Sequence, residues 1–139
     1  MNTTRVVVIT MMIGFGQIAF AGDCQNWSSK FDTVTNPDVL RDLRSKRNWD
    51  SLIEQAGGPD AVILQFRSAM ADARTRLSSA RAASRQLAAR PEDATSSVTW
   101  GQCKAASNAL MAAKCEALNM TELIATAEGS IELAQCRKR

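Results

Sequence analysis

The residues with the most chemistry in this 139-residue chain are four cysteines, Cys24, Cys103, Cys115 and Cys136, and no histidine accompanies them. Four thiolates can hold a metal, but such a site belongs to a reducing compartment or needs further ligands. Without histidine, proton transfer near neutral pH falls to carboxylates. Glu116 with Glu122 or Glu128 is the pair a two-carboxylate hydrolysis would use, yet no apolar cleft motif accompanies it. Ser28-Ser29 and Ser78-Ser79 have no base at a readable spacing, and Gly129-Ser130 lacks the preceding strand of a nucleophile elbow. The chain is therefore expected to be non-catalytic, with no metal and no cofactor.

The arginines carry more information. Between Gln65 and Pro91 stand Arg67, Arg74, Arg76, Arg81, Arg85 and Arg90, with Asp72 the sole acid. Arg67, Arg74 and Arg81 recur every seven residues, with Arg85 beside them. On one reading their stems cover an apolar seam while the guanidinium groups pair with Glu116, Glu122, Glu128 and Glu132 on neighbouring helices. On the other, Arg67, Arg74, Arg81 and Arg85 form a docking face for an acidic protein or an anionic envelope component. Nucleic acid is not expected, because no aromatic residues interleave with the basic ones. A formal net charge of +3 decides nothing by itself.

The N-terminus sets the expected compartment. A short region with Arg5 precedes the apolar run Val6 to Phe15, and Ala19-Phe20-Ala21 has the small-x-small form of a signal-peptidase site. The run is too short for the roughly 20 residues of a membrane span. Residues 1–21 are thus read as a signal peptide, which predicts a periplasmic or secreted protein. Removing 21 of the 139 residues leaves 118, suited to a single helical domain over 22–139, and losing Arg5 lowers the formal charge from +3 to +2. All four cysteines lie beyond the cleavage point, so two disulfides are expected.

Strand signals are scarce: there is no Tyr, and Ala, Leu, Arg and Gln abound. The expected fold is all-α, a small bundle of four to five helices with a long central helix and a C-terminal helical hairpin, stapled by the two disulfides. A short helix or turn is predicted from Asp23 to about Phe31. Asn36-Pro37 caps a helix carrying Val39, Leu40 and Leu43. Trp49 to about Ala56 forms the next, closed by Gly57-Gly58. From Pro59 to about Ala89, Ile63, Phe66, Met70, Ala73, Leu77, Ala80, Ser84 and Leu87 follow a 3-4 spacing, a heptad seam for antiparallel packing or self-association. Arg90-Pro91 breaks it, and Glu92 to Ser97 reads as a polar connector or the first turn of the next helix. Thr99 with Gln102 has the capping-box spacing for a helix to about Leu118, and Asn119 with Glu122 offers a second box for a last helix to about Gln135. Trp27, Trp49 and Trp100 read as core or boundary anchors.

This helix plan predicts the disulfide pairing. On one unbroken helix Cys103 and Cys115 stand about 18 Å apart along the axis, whereas a disulfide holds Cα atoms within roughly 7 Å. That pair is excluded unless the helix breaks. In a hairpin turning at Asn119, Cys103 and Cys136 come almost level, which predicts Cys103–Cys136 with Cys24–Cys115. The function expected from size, export and stapling is that of a protein-binding factor: an accessory, inhibitor or immunity-type protein acting on another envelope or periplasmic protein with an acidic surface. The alternative is a structural or assembly subunit of an envelope or secretion apparatus, homodimeric through the 59–89 helix.

Overall fold

The computed structural model describes residues 24–138; the expected leader over 1–21 lies outside them. Within the described residues there is no strand. A 3-10 turn at Ser29–Thr33 precedes six helices: α1 Pro37–Ser45, α2 Trp49–Gln55, α3 Pro59–Leu87, α4 Pro91–Thr95, α5 Trp100–Lys104 and α6 Ala109–Lys138. The all-α expectation holds, with a long central helix and two disulfides. α4 and α5 are single turns of five residues each.

The local signals explain most boundaries. The Asn36 side chain accepts from the Asp38 N–H ahead of Pro37, and Asn48 does the same for Ser51 at the start of α2. Gly57 and Gly58 turn the chain at φ +108° and +103°, a region other residues avoid, and Pro59 restarts it. Thr99 and Gln102 form the reciprocal capping box that opens α5.

α3 and α6 dominate the packing and run antiparallel. Lys138 meets Asp60 at one end (2.9 Å) and Lys114 lies opposite Arg81 and Arg85 at the other. The heptad seam of α3 faces α6: Ile63, Ala73, Ala80 and Ser84 are buried, Phe66, Met70 and Leu77 half-buried, and only Leu87 stands exposed. The N-terminal segment, α1 and α2 close over the end of this pair near Lys138. There Phe31, Leu43, Trp49, Ile53, Val62 and Ile131 form the heart of the core. Trp27 meets Phe31 edge-on at 5.1 Å, and Trp49 stacks on its other side at 6.3 Å.

Two expectations are corrected. The chain does not turn at Asn119. It breaks earlier, between Lys104 and Ala109, where Asn108 Oδ1 accepts from the Met111 N–H and starts a 30-residue α6. From Ala109 to Glu128 there is neither Gly nor Pro, so strong helix formers carry the helix through Asn119. Glu122, expected to close a capping box, points instead at the N-terminal segment.

The earlier break also reassigns the disulfides. Cys103 and Cys115 occupy different helices, and the chain between them folds back to bring their Cα atoms to 5.6 Å. Cys24 pairs with Cys136, Cα atoms 5.8 Å apart, tying the N-terminal segment to the end of α6. The expected Cys103–Cys136 and Cys24–Cys115 pairs fail because the excluded pair had been placed on one continuous helix. None of the cysteines in the described residues is free.

Candidate functional site

The heptad spacing places Arg67, Arg74, Arg81 and Arg85 within an arc of about 40° on α3, over about 27 Å of its length. All four are exposed, and none makes a hydrogen bond or ion pair with the described residues. The acids expected to neutralise them are engaged elsewhere or stand apart. Glu116 takes Arg76 (2.8 Å), the one arginine of this segment that pairs across to α6. Glu132 accepts from the Ser28 hydroxyl at 2.6 Å. Glu122 is buried and accepts from the Asn36 N–H (2.9 Å), the Trp100 indole N–H (3.2 Å) and the Thr35 hydroxyl. Glu128 has no ion-pair partner among the described residues.

The stripe is divided between two concavities. Arg67 lines a cleft at the Lys138 end together with Asp60 and Leu64. Arg81 and Arg85 line a cavity of about 420 Å³ at the other end, where the segment 94–98 bridges α3 and α6. Arg74 stands between them on the open helix face. Lys114 reaches the cavity from α6, so three cations border it and no carboxylate does. Ala94, Val98, Ala117 and Leu118 contribute apolar lining to the same cavity.

Local structure explains why this cavity is held open. The Lys114 ammonium donates to the Asp93 carbonyl (2.8 Å) and to the Ser96 hydroxyl (2.5 Å), which fixes the bridging segment above α6. Arg90 pairs with Asp93 on the outside of the same turn (3.3 Å). Beyond the segment, the Trp100 indole N–H is shared between Thr35 and Glu122 (3.0 and 3.2 Å), and Cys103 is bonded to Cys115. The bridge is therefore anchored on both sides of residues 96–98.

The sequence singled out Arg81 and Arg85 but missed Lys114. Its place in the site depends on the break at 105–108 and on the antiparallel register, and no pattern around it signals either. Among the described residues no group of three or more Cys, Asp and Glu side chains is placed to hold a metal. No described helix is long and apolar enough to cross a membrane. Comparison with protein-family models, curated proteins and solved structures finds no match for this chain.

Proposed function

We propose that the protein is a non-catalytic, exported binding factor that docks an acidic protein of the cell envelope through the arginine face of α3. The observation that carries this reading is that Arg67, Arg74, Arg81 and Arg85 share one exposed face with no acid of the described residues paired to any of them. Four unpaired guanidinium groups along one helix form a field that steers and orients an acidic partner. Two disulfides in a small chain suit an oxidising compartment, and the N-terminal small-x-small pattern supports export there.

The alternative, an assembly subunit self-associating through the 59–89 helix, has no observation here that favours it over the arginine face.

The test is capture from periplasmic extract with the wild type and with the Arg67→Glu, Arg74→Glu, Arg81→Glu triple variant, followed by rebinding of the purified captured protein at increasing salt. The expected result is a salt-sensitive complex that the triple variant fails to form. Equal capture of the same protein by both forms would remove the arginine face from the reading.

A further inference from the structure

We propose that the cavity bordered by Arg81, Arg85 and Lys114 is a carboxylate site that takes the free C-terminus of a peptide chain whose last residue is small and apolar. This deepens the docking role and rests on it for its biological meaning, while the binding itself is measured separately.

Charge comes first. Three cations face the cavity without a carboxylate in its lining, so an anion entering it meets no opposing charge. The hydroxyl donors are largely committed: Ser84 donates to the Ala80 carbonyl (2.9 Å) and Thr121 to the Ala117 carbonyl (2.8 Å). Lys114 has two of its three donors engaged, as described above. The side-chain donors left for a ligand are the two guanidinium groups, one ammonium N–H and the Ser97 hydroxyl. Arg81 and Arg85 are one helical turn apart, and their planar forks match a carboxylate in bidentate contact.

Shape decides between anions. The volume falls within the range of about 300–1,000 Å³ typical of small-ligand pockets, well beyond one carboxylate alone. Val98, Ala117 and Leu118 offer apolar surface that an inorganic oxyanion leaves unused. The last residue of a peptide carries its carboxylate and its side chain on the same Cα. It can therefore present a charge to the arginines and a small apolar group to Val98, Ala117 and Leu118. An internal Asp or Glu side chain has nothing comparable to place there.

The experiment titrates isotope-labelled protein with N-acetyl-Ala-Val as the free acid, as its C-terminal carboxamide, and with inorganic phosphate, following the amides of Ser97, Val98 and Leu118. The expected result is saturable binding of the acid, with the carboxamide at least about tenfold weaker, a difference of roughly 1.4 kcal/mol. Arg81→Gln with Arg85→Gln should weaken the acid about tenfold or more, whereas Arg67→Gln with Arg74→Gln on the same helix should leave it unchanged. All four side chains are exposed, so both variants should fold, and circular dichroism checks this. Equal binding of acid and carboxamide, no saturation, or full displacement of the peptide by equimolar phosphate would each overturn the proposal. If the peptide fails while Arg67→Glu with Arg74→Glu still abolishes partner capture, only the cavity falls; if the peptide binds while capture survives that pair, only the docking face falls.

Discussion

The Phe31 ring lies against the Cα of Gly129, so close that a Cβ built at residue 129 would stand 2.3 Å from Phe31 Cε1. Glycine inside a helix ordinarily costs about 1 kcal/mol relative to alanine. Here it admits the most deeply buried aromatic ring of the core, which has no exposed surface. Gly129→Ala should therefore destabilise the protein, because an overpacking cost of about 1–3 kcal/mol outweighs the gain in helix propensity. Urea denaturation gives the sign. Adding Phe31→Leu should cost less there than it does in the wild type, since the two residues touch and their effects are not additive. A more stable Gly129→Ala protein would show that the ring yields freely.

Much of this architecture was readable because its signals are local. Asn36-Pro37, Gly57-Gly58 and the Thr99–Gln102 box each act within one turn, and the 3-4 apolar spacing of α3 marks the face that meets α6. The break at 105–108 has only Ser107-Asn108 to announce it, a weaker signal than the Asn119–Glu122 spacing that α6 overrides. That single misplacement carried the disulfide pairing with it. Of the candidate site, the arginines were legible as a seven-residue repeat. Lys114 was not, because it joins Arg81 and Arg85 only through tertiary register. Glu122 read as an arginine partner or a capping residue, because its burial depends on the N-terminal segment folding over it.

Arg137 fastens the N-terminal segment to α6, and its geometry separates charge from shape. Its side chain is only 6% exposed; it donates to Asp50 (2.5 Å), Asn26 Oδ1 (2.9 Å), the Gln25 carbonyl (3.1 Å) and the Leu133 carbonyl (2.9 Å). Asp50 is 68% exposed, so water and salt screen that pair. Asp50→Asn should cost less than about 1 kcal/mol. Arg137→Lys keeps the charge but loses the fork, giving up bonds to Asn26 and to the Gln25 and Leu133 carbonyls at about 0.5–1.5 kcal/mol each. Amide exchange at residues 25–28 should rise in Arg137→Lys and stay near wild type in Asp50→Asn. Equal effects would mean that charge alone does the fastening.

Glu122 joins three segments by accepting from Thr35, the Asn36 N–H and Trp100 while only 5% exposed. Glu122→Ala strands the Thr35 hydroxyl and the Asn36 N–H and should cost about 3 kcal/mol or more, because bonds to a charged acceptor contribute about 1.5–3 kcal/mol each. Glu122→Gln should be milder. Its oxygen can keep the Asn36 N–H, its amide can face a reversed Thr35 hydroxyl, and Trp100 retains Thr35 at 3.0 Å. Denaturation followed by tryptophan fluorescence ranks the two variants. A glutamine variant as unstable as the alanine one would show that the negative charge, rather than the pattern of acceptors, holds the node.

The two disulfides close loops of very different length, 12 and 112 residues apart in sequence. If restriction of the unfolded chain dominates, Cys103→Ser with Cys115→Ser should cost about 3 kcal/mol and Cys24→Ser with Cys136→Ser nearly 5 kcal/mol. Local structure narrows this difference without reversing it. Gln25 and Asn26 keep the Arg137 contacts after the longer bridge is lost, whereas the bridging segment 94–98 loses one of its two anchors with the shorter one. The larger loss in urea denaturation should therefore follow removal of Cys24–Cys136, and the larger rise in amide exchange at 96–104 should follow removal of Cys103–Cys115. Trypsin alone leaves Cys115 and Cys136 on one peptide, but adding a glutamate-specific protease separates them at Glu116, so the pairing can be read from the same oxidised sample. Recovery of Cys24 joined to Cys103 or Cys115 would overturn the break at 105–108 and, with it, the geometry that sets Lys114 beside the arginines.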